Sequence, residues 1–116
     1  MEVCVDNLSS FINAVEAGAS RIELCSSLAE GGLTPSLGFF RQVKKVNSHV
    51  PVHVLIRPRG GDFYYSGAEV AIMKEDAAIF VQNGAEGLVL GESFSLKRLF
   101  RLLVQFHKRI NSNTHE

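Results

Sequence analysis

The chain has 116 residues, 46% of them hydrophobic, with 12 lysines and arginines matched by 12 aspartates and glutamates. That length supports one globular unit with a modest core. Zero net charge argues against a general attraction to nucleic acid or anionic membrane, and no apolar run reaches the ~20 residues of a membrane span. The start, Met1-Glu2-Val3-Cys4, lacks a basic region followed by an apolar segment, so no secretory signal is expected. Two cysteines outside any paired framework suit a reducing, cytosolic compartment.

Glu2 to Asp6 alternates with a period of two and reads as a strand. Leu8 to Ala17 follows as a helix ended by Gly18, a residue suited to a left-handed C-terminal position. Arg21 to Cys25 is the second strand. Thr34-Pro35 then opens a helix, with Thr34 the candidate N-cap and Pro35 in the first turn, running to the neighbourhood of His49. After Pro51 comes the third strand, Val52 to Arg57. Ser66-Gly67-Ala68-Glu69 is a capping box that launches a helix through Val81 to a stop near Gly84. Leu88 to Leu90 is the fourth strand.

Gly18-Ala19-Ser20-Arg21-Ile22-Glu23-Leu24 and Gly84-Ala85-Glu86-Gly87-Leu88-Val89-Leu90 share a Gly-Ala-x-x-aliphatic-x-Leu pattern. Each is a helix-to-strand return, and repeated β-α-β-α with short connections implies parallel strands and right-handed crossovers. Four such strands fit an open doubly wound sheet or half of a (βα)₈ barrel. The glycine-rich dinucleotide fingerprint is missing after the first strand, where Asp6-Asn7-Leu8-Ser9 stands, and this favours the barrel. Parity points the same way. Val3 and Val5 share one face against Glu2, Cys4 and Asp6; Ile22 and Leu24 oppose Glu23 and Cys25; Val52, Val54 and Ile56 oppose His53, Leu55 and Arg57. Each strand thus has an aliphatic face for covering helices and a face carrying ionisable groups, as in a barrel whose lumen holds a site. A sheet with one wet face is the alternative.

The polar face gathers Glu2, Cys4, Asp6, Glu23, Cys25, His53 and Arg57. Cys4 and Cys25 have matching parity on strands ~4.8 Å apart, close enough for two sulfurs to approach. Two soft thiolates select a soft ion such as Cu(I), which needs no further ligand; the alternatives are two packed small hydrophobes or a disulfide. His53 is either a satisfied interior residue or a ligand or base. Glu2 and Glu23 are candidate acid and base, or they neutralise Arg57 and Arg59. The loop Ile56-Arg57-Pro58-Arg59-Gly60-Gly61-Asp62-Phe63 offers planar cationic forks and close backbone approach, an anion-binding arrangement centred on Arg57, Arg59 and Asp62. A solvated turn with internally paired charges is the bland reading. Glu30-Gly31-Gly32-Leu33 is a second glycine-rich loop, and the two would line the C-terminal mouth where barrel sites are found.

Glu2-Val3-Cys4-Val5-Asp6, Arg21-Ile22-Glu23-Leu24-Cys25-Ser26, Glu30-Gly31-Gly32-Leu33-Thr34-Pro35-Ser36 and the Arg57–Phe63 loop together resemble the CutC family of copper homeostasis proteins, as does Met73-Lys74-Glu75-Asp76. The resemblance runs from Met1 to about Gly91. It implies a TIM-type barrel, Cu(I) binding, self-association as a homo-oligomer, and a cytoplasmic location with the nucleus as a second compartment. Cys4 and Cys25 match the cysteines proposed to hold copper in eukaryotic members. Arg57, Arg59 and Asp62 fall on the family's loop signature. Residues 1–91 are therefore expected to form the first four βα units of the barrel, a half-barrel.

Residues 92–116 depart from the family pattern. Ser95 is a candidate cap for a helix with Leu96, Leu99, Phe100, Leu103, Phe106 and Ile110 on one stripe and Lys97, Arg98, Arg101, Lys108 and Arg109 around it. The expectation is a divergent amphipathic tail on a truncated isoform. Three functions follow. The first is copper homeostasis through Cu(I) held by Cys4 and Cys25. The second is a barrel enzyme acting on a small anion held by Arg57 and Arg59, with Glu2, Glu23 or His53 moving protons. The third is an inactive isoform.

Overall fold

A computed structural model of the protein describes residues 1–90 and, beyond them, Gln105. The elements are β1 (Glu2–Val5), α1 (Leu8–Glu16), β2 (Arg21–Leu24), a 3-10 turn (Leu28–Glu30), α2 (Leu37–Val46), β3 (Val52–Leu55), α3 (Gly67–Gln82) and β4 (Gly87–Val89). All strands pair in parallel, in the order β1-β2-β3-β4. Every crossover thus steps in the same direction. A doubly wound sheet reverses once; a barrel wall does not. The architecture is half of a TIM-type barrel.

The register turns parity into layers. Val3, Ile22 and Val52 form one row, and Val5, Leu24, Val54 and Leu88 form another. Val5, Ile22, Leu24, Val52, Val54 and Ile56 are buried together with Phe11 of α1, Phe40 and Val43 of α2, and Met73, Ala77 and Phe80 of α3. Phe40 meets Phe80 edge to face, with ring centroids 5.5 Å apart, and joins α2 to α3. Lys44 lies over the Phe40 ring and forms an ion pair with Glu86. The other Glu86 oxygen accepts from Val52 N at 2.8 Å, so one carboxylate ties helix, β3 and β4 together.

The repeated Gly-Ala pattern marks one turn used twice. Gly18 N donates to Val15 O and Ala19 N to Ala14 O; Gly84 N donates to Val81 O and Ala85 N to Phe80 O. Both are Schellman closures, which need the left-handed φ of +88° at Gly18 and +99° at Gly84. The capping box is present as read, Ser66 and Glu69 satisfying each other's backbone N–H.

Both boundaries of α2 differ from expectation, and β3 ends at Leu55 rather than Arg57. The N-cap of α2 is Ser36, whose Oγ accepts from Phe39 N at 3.1 Å. Thr34 is claimed by the neighbouring strand end instead: its hydroxyl accepts from Arg57 N at 2.8 Å and its N–H donates to Arg57 O at 2.9 Å. The helix also stops at Val46, short of His49. The Asn47 side chain draws His49 N and Val50 N into its own turn at 2.8 and 3.0 Å, in competition with further helix. The expected tail helix lies outside the described residues. Among the described residues, no helix is long and apolar enough to cross a membrane.

Phe40 has no solvent exposure, so Phe40→Ala should destabilise by about 3–5 kcal/mol in urea unfolding. Ser66→Ala removes only a cap and should cost about 1 kcal/mol. An equal loss in the two variants would contradict this division of labour.

Candidate functional site

The helix-free face carries the polar residues in ordered rows. At the N-terminal end Glu2 stands beside Arg21, and the two form an ion pair. One step up, Cys4, Glu23, His53 and Gly87 lie in one row across all four strands. The His53 ring lies against Gly87, where an added Cβ would meet it at 2.6 Å. Above this row come Cys25 and the pair Leu55 and Val89. Glu2 and Glu23 are thus not side by side. Nor do they neutralise the loop arginines: Glu2 pairs with Arg21, and Glu23 accepts a hydrogen bond from the Cys4 thiol at 2.8 Å.

The two cysteines are free thiols on the same face, Cys4 exposed and Cys25 buried. They are offset along the sheet. Cys25 N donates to Val5 O, so Cys25 stands level with Asp6, two residues beyond the Cys4 row. Strand spacing and rise put such a diagonal pair about 8 Å apart at Cα. That exceeds the ~7 Å limit for a disulfide. Both thiols hold their protons tightly. Cys4 is raised from 9.0 to about 11, first by its hydrogen bond to Glu23, then by burial, the Glu23 charge and Cys25. Cys25 is also raised to about 11, first by burial, then by Asp6 and Glu23. Its Sγ donates to Val5 O at 3.5 Å.

What encloses Cys25 is the first glycine-rich loop. Ser26 and Leu33 exchange two backbone hydrogen bonds of 2.8 and 2.7 Å, which folds residues 26–33 back over the end of β2. Gly32 has a φ of +92°, and a Cβ there would meet Leu55 Cδ2 at 2.9 Å and Cys25 Sγ at 3.8 Å. Only glycine lets the backbone lie this close. Asp6 fastens the same loop to β1, its Oδ2 accepting from Leu28 N at 3.1 Å.

The arginine loop is held by its own charges. Arg57 donates through Nη1 to Glu30 O and Gly32 O at 2.9 and 3.1 Å, and through Nη2 to Gly61 O at 3.1 Å. Its guanidinium stacks 5.4 Å from the Phe63 ring centroid, and its Nε is buried without a hydrogen-bond partner. Arg57 therefore stitches both glycine-rich loops together. Arg59 forms an ion pair with Glu69 at the start of α3 and donates to Gly60 O, Asp62 O, Asp62 Oδ1 and Tyr64 O at 3.0–3.2 Å. The Arg59 proton is held more firmly by Glu69, while the Glu69 carboxyl is lowered by the Ser66 N–H and then by Arg59. Asp62 is the internal partner of Arg59 in this arrangement. An anion entering here would have to take donors from carbonyl and carboxylate partners already in place.

Glu69 was not singled out from the sequence beyond its capping role; its second partner comes from a loop ten residues back. A separate open groove of about 700 Å³ has Asp6, Ser26, Ser36, Phe39, Asp76 and Phe80 among its lining residues. None of Cys4, Glu23, His53, Arg57 or Arg59 lines it. Asp76 is raised by burial and then by the adjacent Glu75.

The thiols give a stability signature. Folded Cys4 and Cys25 keep protons until about pH 11, whereas the ordinary value is 9.0. Their contribution is complete below pH 9 and is lost as pH rises through 11. Cys4→Ser/Cys25→Ser should flatten that alkaline fall in a pH series of urea midpoints; an unchanged slope would contradict the raised values. Gly32→Ala should speed alkylation of Cys25 by iodoacetamide, followed by mass spectrometry, with Cys4 the faster-reacting thiol in the parent chain.

Known proteins align with this arrangement. The CutC family model matches residues 1–99. The human copper homeostasis protein cutC homolog is 56% identical over 91 residues, covering 78% of this chain and 33% of the human protein. A CutC family protein of Vibrio campbellii is 54% identical over 91 residues, covering 36% of that protein. The crystal structure of CutC from Streptococcus agalactiae superposes with a TM-score of 0.71 at 41% identity, covering 78% of this chain and 44% of that one. The chain spans about a third of the length of these curated relatives. With motifs, topology and family model in agreement, the chain belongs to the CutC family.

Proposed function

We propose that this chain serves copper homeostasis by holding Cu(I) between the thiolates of Cys4 and Cys25. The observation that carries the reading is the diagonal placement of two free thiols on one face of adjacent strands, one open to solvent and one enclosed. A metal–thiolate bond of about 2.3 Å makes a sulfur–metal–sulfur bridge more than twice as long as the ~2.05 Å disulfide bond. The offset that is too wide for a disulfide leaves room for an ion. Soft sulfur ligands select Cu(I), which accepts two-coordinate binding. Among the described residues no group of three or more His, Cys, Asp or Glu is placed to hold a metal ion, which disfavours ions that demand four ligands. The names of the human and mouse relatives support a role in copper homeostasis. A reducing cytoplasm, where both thiols persist, is the matching location.

An anaerobic Cu(I) competition titration of the parent chain beside Cys4→Ser/Cys25→Ser tests this. One tight equivalent that vanishes in the variant is expected; equal binding by both would refute the site. Both thiols are protonated at neutral pH, so uptake should release two protons and apparent affinity should rise about a hundredfold per pH unit. A tenfold rise would mean that only one thiol binds.

A further inference from the structure

Cys25 is only 3% exposed, and part of its cover is a single glycine. Gly32 lies so close that a Cβ on it would stand 3.8 Å from Cys25 Sγ. The same residue is gripped by Arg57, whose Nη1 donates to Gly32 O at 3.1 Å and to Glu30 O at 2.9 Å. Gly31 completes the fit, since a Cβ on it would meet Arg57 Nη1 at 3.0 Å. The segment does not rest there unaided. Ser27 holds a left-handed φ of +50°, which a non-glycine residue keeps only where its surroundings fix it. Pairing of Ser26 with Leu33 fixes the two ends of the segment, and Asp6 fixes Leu28. Arg57 fixes the part that covers the sulfur.

That grip is of a releasable kind. Arg59 is anchored by the carboxylates of Glu69 and Asp62, whereas Arg57 donates to neutral carbonyls, Gly61 O being the third. Its Nε is buried without a partner, a cost that opening relieves. We propose that Arg57 controls access to Cys25 by pinning residues 30–32 over its thiol. Reagents and ions then reach the sulfur only as often as this segment lifts, and the Arg57 hydrogen bonds set that frequency. Cys4, exposed on the same face, needs no such opening. An ion held by both thiols is captured first at Cys4 and completed at Cys25 when the segment lifts. This consequence for copper rests on the Cu(I) reading above; control of access does not.

Timed iodoacetamide labelling of the metal-free full chain, read by mass spectrometry at each cysteine, tests the proposal in the parent, Arg57→Ala and Arg57→Lys. Lysine keeps the charge and loses the fork. Cys25 should react fastest in Arg57→Ala, then in Arg57→Lys, then in the parent, with a gain of about tenfold in the first for the loss of a charge-assisted bond. Added methylguanidinium should slow Arg57→Ala again. Removing a cation makes a thiol hold its proton more tightly, so faster labelling reports opening rather than a more reactive sulfur. The Cys4 rate and the amide protection of Val5, Leu24 and Val54 should stay as in the parent. Equal Cys25 rates in all three chains would overturn the proposal. So would a parallel rise at Cys4 with lost strand protection in both variants, which would show general loosening. Transfer of bound Cu(I) to a chelator should also quicken in Arg57→Ala. Labelling decides the access claim whether or not copper binds, so the two readings fail separately.

Discussion

Burial of Val5, Leu24 and Val54 in one row beneath the helices constrains everything else in this half-barrel. Side chains alternate along a strand, so committing these aliphatics to the helix side commits Cys4, Glu23 and His53 to the other. A slip of one residue would exchange the faces and bury a carboxylate and an imidazole against Phe11 and Phe40. The cost of that exchange is what holds the polar row in place. The row carries a hydrogen bond of its own, from Cys4 Sγ to Glu23. It inherits its geometry from the core on the opposite side of the same strands.

The loops above the sheet follow a different principle. Their glycines leave backbone carbonyls that converge on one point, and Arg57 supplies the donors that fill it. Arg59 does the same for the following turn and anchors it to α3 through Glu69. A planar fork with five donors suits this work better than a lysine would. The residues that read from sequence as a ligand cradle are, in the structure, the frame that holds the loops of the mouth together. Shape at this end of the sheet therefore depends on charge, whereas shape below it depends on apolar packing.

Local and periodic features were legible in the sequence. Strand parity, the capping box at Ser66 and the twice-used Gly-Ala closure each depend on residues within a few positions, and each appears in the structure as read. Features set by distant partners were not legible. The step that places Cys25 level with Asp6 is a property of strand pairing, and no spacing within one strand reveals it. Thr34 lost the N-cap role because Arg57, 23 residues away, needed a partner for its N–H. The pairing of Glu2 with Arg21 rather than with the loop arginines has the same origin. The enclosure of Cys25 was hidden for a related reason: Gly32 reads as turn chemistry until the loop is seen lying on the sulfur.

The central claim is that an offset pair of thiols, one open and one enclosed, is shaped for a two-coordinate soft ion. Copper K-edge X-ray absorption on the Cu(I)-loaded chain tests it most directly. The account predicts two sulfur neighbours, no nitrogen or oxygen neighbour, and the sharp edge feature of a linear site. A first shell containing nitrogen, or three or more ligands, would contradict it and move the ion away from the Cys4–Cys25 diagonal.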